Sequence, residues 1–150
     1  MKRIEFQIAK GEVYNEVAKT TSYTGAKMEN DEDAYNRIFT TDEDKAMLER
    51  FWNESKNMVA GSLKKVLGIE QEVSDLYTLE LELSNSFDEN LKESMQRSLF
   101  SFFVMNITSK WYTFTNKKEA ESYAKSAATD MEDILRKAYF KKKPIRPTYE

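Results

Sequence analysis

The sequence predicts a mainly α-helical bundle, three long helices plus an N-terminal helix, carrying two short β-strands and ending in an extended basic arm. Three observations lead there. Apolar residues recur at helical spacing over several long stretches, and two short stretches alternate with a period of two. Both prolines of the chain, Pro144 and Pro147, fall near its end, where each would break a helix. A chain of 150 residues is expected to form one domain, residues 1–140, burying roughly 70% of its unfolded surface. The arm, residues 141–150, stands outside that domain.

The first strand is read near residues 2–8, where Ile4, Phe6 and Ile8 face one side and Arg3, Glu5 and Gln7 the other. Beyond Gly11, the spacing of Val13, Val17 and Ala18 predicts a helix from about Glu12, weakened at Thr20 and Thr21. The acidic stretch MENDEDAYNRIF has room for one helical turn around Ala34 to Ile38. Thr40 and Glu43 then form a reciprocal capping pair, and Asp42, Glu43 and Asp44 sit where a helix dipole favours negative charge. Leu48, Phe51, Trp52, Val59, Leu63 and Val66 continue at helical spacing, so a long helix is expected over about 41–67, with Gly68 as its left-handed stop.

A second strand is expected near residues 76–84, where Tyr77, Leu79, Leu81 and Leu83 alternate with Thr78, Glu80, Glu82 and Ser84. Ser86 with Glu89 marks another helix start, running to roughly Trp111. Its second half, SLFSFFVMNI, is apolar nearly all round, as a central core helix would be. Asn116 with Glu119 opens the last helix, whose stripe is Ala120, Tyr123, Ala124, Ala127, Met131, Ile134, Leu135 and Ala138. Two strands alone are marginal in water. They are expected to pair with each other over the bundle; the alternative is a sheet completed between subunits through Ile4, Phe6, Ile8, Tyr77, Leu79, Leu81 and Leu83.

Chemistry is narrowed by what is missing. The chain has no His and no Cys, which removes the usual neutral-pH base, thiolate metal sites and cysteine nucleophiles. None of its four glycines is spaced to cradle phosphate. Asp31, Glu32 and Asp33 lack the alternating ligands and central glycine of a calcium loop. Asp130, Glu132 and Asp133 read as an exposed helix face, and Glu80 and Glu82 as a solvated strand face. No enzyme activity, cofactor or metal is therefore expected. The aromatics Phe51, Trp52, Phe100, Phe102 and Phe103 read as packing, whereas Trp111, Tyr112 and Phe114 cannot all face one side of a helix end, leaving at least one for a partner. Asn106-Ile107-Thr108 is a formal glycosylation acceptor inside a core helix. Residues 1–8 alternate instead of forming an apolar leader, and the longest apolar run is too short for a bilayer, so neither Sec export nor a membrane partner is expected.

Charge is divided. Residues 136–150 hold six cations against Glu150, a balance of +5, which leaves −8 for residues 1–135 out of the net −3. A basic tail of this kind suits nucleic acid or an acidic protein surface, including that of a second copy. Lys141, Lys142, Lys143 and Arg146 offer charge, Ile145 and Tyr149 apolar anchors, and Pro144 and Pro147 a reduced entropy of ordering. A protein-docking arm accounts for more of these features than a nonspecific DNA tail does.

Three stretches, EVAKTTSYTGAKM, FTTDEDKAMLERFWNE and SLFSFFVMNITSKWYTFTNKKEAESYA with its KKKPIRP finish, resemble small virion proteins of tailed bacteriophages and prophages of gut Bacteroidetes. In size and helical build the chain is similar to their head-to-tail connectors, or adaptors. That resemblance implies a noncatalytic neck protein at the portal vertex, present in host cytoplasm during assembly. It implies a homo-oligomeric ring of about a dozen copies, contacts with portal and other neck or tail proteins, and DNA passing through without sequence recognition. Residues 141–149 would be the docking segment. Adaptors are often nearly all helical, so the two strands leave a tail-terminator or tail-completion role open, and a small regulatory protein with a DNA-binding tail is the reading from another class.

Overall fold

A computed structural model describes residues 1–21, 39 and 41–139. Among these the chain is mainly helical, with four helices and one three-stranded antiparallel sheet. In order they are β1 (Lys2–Ala9), α1 (Lys10–Thr21), α2 (Asp42–Ser62), β2 (Leu67–Val73), β3 (Leu76–Leu83), a 3-10 turn (Glu89–Leu91), α3 (Lys92–Thr115) and α4 (Lys117–Ala138). The turn expected at 34–38, the acids at 31–33, Thr40 and the arm at 141–150 lie outside the described residues.

The strands alternate as expected and pair with each other. β1 runs antiparallel to β3 from Lys2 opposite Leu83 to Ala9 opposite Leu76, which sets Ile4, Phe6, Ile8, Tyr77, Leu79, Leu81 and Leu83 into one core. The sheet has a third member that the periodicity did not reveal. The long helix ends at Ser62, not at residue 67, and the chain turns back as β2 against β3, giving the order β1-β3-β2. Gly68 is thus a strand residue at a register shift, without a left-handed φ; a Cβ there would stand 3.2 Å from the Glu80 carbonyl oxygen. Close backbone approach, not helix termination, explains the glycine.

α3 is the central element, packed against α1, α2, α4 and β1. Buried residues lie all round its middle, from Leu99 through Phe102, Phe103 and Val104 to Ile107. Trp52 of α2 is fully buried, with its ring centre 4.8 Å from that of Phe103. Helix starts follow their caps, with two shifts. Thr41, not Thr40, caps α2, accepting the Asp44 amide at 3.1 Å. Ser86 does not cap α3; Asp88 caps the 3-10 turn before it, accepting the Asn90 amide. Asn116 caps α4 through the Glu119 amide, as its spacing predicts. No helix among the described residues is long and apolar enough to cross a membrane.

Candidate interaction surface

β2 is held at its hairpin tip by charge. The two-residue turn Ser74-Asp75 has φ of 53° and 62°, so both residues are left-handed, as a type I′ turn requires and as non-glycine residues adopt at a cost. Lys10, the first residue of α1, pins that turn twice. Its amide donates to the Asp75 carbonyl at 2.9 Å, and its ammonium lies 3.3 Å from the Asp75 carboxylate. The same ammonium donates to Glu49 at 2.8 Å and lies 3.8 Å from Glu72. Tyr14 also donates to Glu49, at 2.8 Å. Glu72 accepts from the Trp52 indole at 3.0 Å and from Lys56, and Tyr77 donates to Glu70 at 2.6 Å.

The electrostatics follow from these contacts. Burial works to lower the pKa of Lys10, but Glu49 and Asp75 together outweigh it and raise the value above 10.5. Burial works to raise Glu49, and the bonds from Lys10 and Tyr14 overcome it, holding the carboxyl below 4.5. Burial first, then Glu70, push the Tyr77 hydroxyl far up, so it acts as a donor and not as an acid.

The three strands present three different edges. β3 is central and paired on both sides. β1 has one outer edge, and Gln96 of α3 covers it at Gln7: the Gln7 amide donates to the Gln96 side chain at 3.1 Å, and that side chain donates back to the Gln7 carbonyl at 2.6 Å. β2 pairs with β3 only, and nothing among the described residues occupies its other edge. Val73 and Leu76 flank a two-residue turn, so they exchange the first ladder bonds; Gln71 and Ile69 then also bond towards β3. Glu70 and Glu72 accordingly direct their N–H and C=O groups outward. On the sheet's outer face Ile69 and Val73 are 53% and 63% exposed.

The strand residues considered for contact between subunits, Ile4, Phe6, Ile8, Tyr77, Leu79, Leu81 and Leu83, have their side chains in the core. What their strands leave to a partner is the outer edge of β1 alone, and Gln96 sits on it. The residues expected to dock, Lys141, Lys142, Lys143, Pro144, Ile145, Arg146, Pro147 and Tyr149, lie outside the described residues. Just before them, Tyr139 closes α4 and lines a depression of about 540 Å³ with Gly61, Ser62, Lys64, Lys65 and Leu135, next to the start of β2. Of the terminal aromatics, Trp111 and Tyr112 are half-buried, whereas Phe114 is 67% exposed and stacks on Phe51.

Several side chains have roles that linear reading did not assign. Asp130 and Asp133 do not form a free solvent face with Glu132; they accept 2.6 Å bonds from Ser101 and Ser98 and join α4 to α3. Burial and the neighbouring Asp133 raise Asp130, whereas Asp133 is lowered because Lys137, Ser98 and Arg136 outweigh its burial. Glu80 and Glu82 share Arg3, at 3.8 and 3.7 Å. Asn106 is buried and donates to Ser55 at 2.8 Å, which removes it as a glycosylation site. No group of three or more acidic side chains among the described residues is arranged to hold a metal ion. Compared with protein-family models, curated proteins and solved structures, the chain matches none.

Proposed function

We propose that the chain is a noncatalytic structural subunit of a tailed-phage virion. In this reading it is a head-to-tail connector, or adaptor, that forms a homo-oligomeric ring at the portal vertex and docks through residues 141–150. The observation that carries the reading is the division of charge between an acidic body and a basic, proline-bearing arm that departs from the end of α4. The resemblance of the three quoted stretches to phage virion proteins supplies the particle. The sheet favours a second reading within the same particle, a tail terminator or tail-completion protein, because adaptors are often nearly all helical.

Removal of residues 141–150 tests the proposal. The truncated protein is expected to keep its helical circular dichroism and cooperative melting, while joined head-and-tail particles disappear from electron micrographs of the mutant lysate. Normal joining by the truncated protein would remove the docking role of the arm.

A further inference from the structure

We infer that the outer edge of β2 receives the C-terminal arm of a second copy of this chain, added as an antiparallel fourth strand. The inference rests on the ring reading and gives its docking arm a seat. Glu70 and Glu72 offer outward N–H and C=O groups on a strand exposed along most of its length, the arrangement that strand addition uses. Of its two carboxylates, Glu72 is already paired with Lys56 and lies 3.8 Å from Lys10, whereas no cation among the described residues pairs with Glu70.

Self-pairing of two β2 strands meets like charge in its fullest registers. With Glu70 and Glu72 as the bonding residues, the two-fold arrangements of fullest overlap set Glu70 opposite or diagonal to Glu70 of the second copy, which is unfavourable. The segment Phe140 to Arg146 reverses that sign. Its prolines also select a parity: Pro144 has no N–H, so it must occupy a position whose N–H points away from β2. Lys141, Lys143 and Ile145 then face the edge with their amides. In antiparallel sense, Lys141 stands opposite Glu72, Lys143 opposite Glu70 and Ile145 opposite Gly68. Phe140 and Pro144 fall beside the exposed Val73 and Ile69, and Lys142 beside Gln71. Pro147 would need to donate at the next bonding position and ends the strand.

In the antiparallel sense the added strand comes from another molecule. An antiparallel arm enters at the Val73 end of β2, yet Tyr139 lies beside Lys64 and Lys65, near the Leu67 end. Six strand residues separate the two ends, about 20 Å, which Phe140 and Lys141 cannot span within one chain.

The absence of Cys from the chain makes disulfide trapping clean. Gln71 and Lys142 would be directly opposed at a non-hydrogen-bonded pair, the geometry with the closest side chains. Full-length Gln71→Cys and Lys142→Cys variants, mixed at low salt and oxidised, are expected to give a mixed covalent dimer, reduced severalfold when Glu70→Lys is added. A dimer of Gln71→Cys alone would mean β2 pairs with itself and overturns the inference. So would a doubly substituted chain that cross-links only within itself, and so would no cross-link at all. If trapping fails while head-to-tail joining still needs residues 141–150, the seat is wrong and the docking arm stands; if neither holds, both fall.

Discussion

β1 and β2 flank the same strand, yet they are held by different forces. β1 buries Ile4, Phe6 and Ile8 against the helices, and Gln96 occupies its outer edge. β2 buries none of its seven residues to that degree; it rests on its ladder with β3 and on the Lys10 ion cluster at its tip. Hydrophobic burial scales with apolar area removed from water, whereas partly exposed ion pairs contribute less. The difference teaches that membership of one sheet does not imply one role: β1 belongs to the core, and β2 is surface held in strand form.

The largest test is apolar truncation. Phe6→Ala is expected to destabilise the protein by about 3–5 kcal/mol, whereas Ile69→Ala should stay within about 0.5 kcal/mol in urea unfolding of the isolated protein. Equal effects would erase the distinction. Next, Gln96→Ala should cost about 1 kcal/mol and make β1 resemble β2. Hydrogen exchange at the Gln7 amide is the measurement, and the expected result is loss of its protection with the Ile4 and Phe6 side chains still packed.

The smallest effect is set by pH. Glu49 has its pKa held below 4.5, so the stability it contributes is present above that value and is lost as pH falls through its folded pKa. Lys10 is raised above 10.5, so its contribution is intact below that value and is lost as pH rises through its folded pKa. After solvent screening each amounts to less than ~1 kcal/mol. On acidification the β2 amides should therefore lose exchange protection before those of β1; simultaneous loss would show that the ion cluster does not anchor the hairpin.

Legibility in the sequence followed burial. β1 and β3 were readable because one face of each meets the core and the other meets water, the condition that makes alternation visible. β2 was hidden although Ile69, Gln71 and Val73 alternate with Glu70 and Glu72, because both of its faces are largely exposed. Its turn is Ser-Asp, lacking the glycine that usually marks a type I′ hairpin. Leu63 and Val66 also extended the helical period past the true end of α2. Thr41 caps α2 one residue beyond the expected Thr40, because each has an acid three positions on, Asp44 and Glu43. The start of α4 raised no such ambiguity, since Asn116 stands alone before Glu119.

Linear order alone is enough for the helical class, two of the strands, the central apolar helix and the split of charge between residues 1–135 and 136–150. Those properties depend on neighbours a few residues apart and on composition, which linear order preserves. Tertiary packing was needed to place Gln96 on the β1 edge at Gln7, to join α4 to α3 through Asp130 and Asp133, and to set Lys10 on a hairpin tip 65 residues away at Asp75. Each of these depends on which distant backbone lies within hydrogen-bonding reach, and distance along the chain carries no record of it.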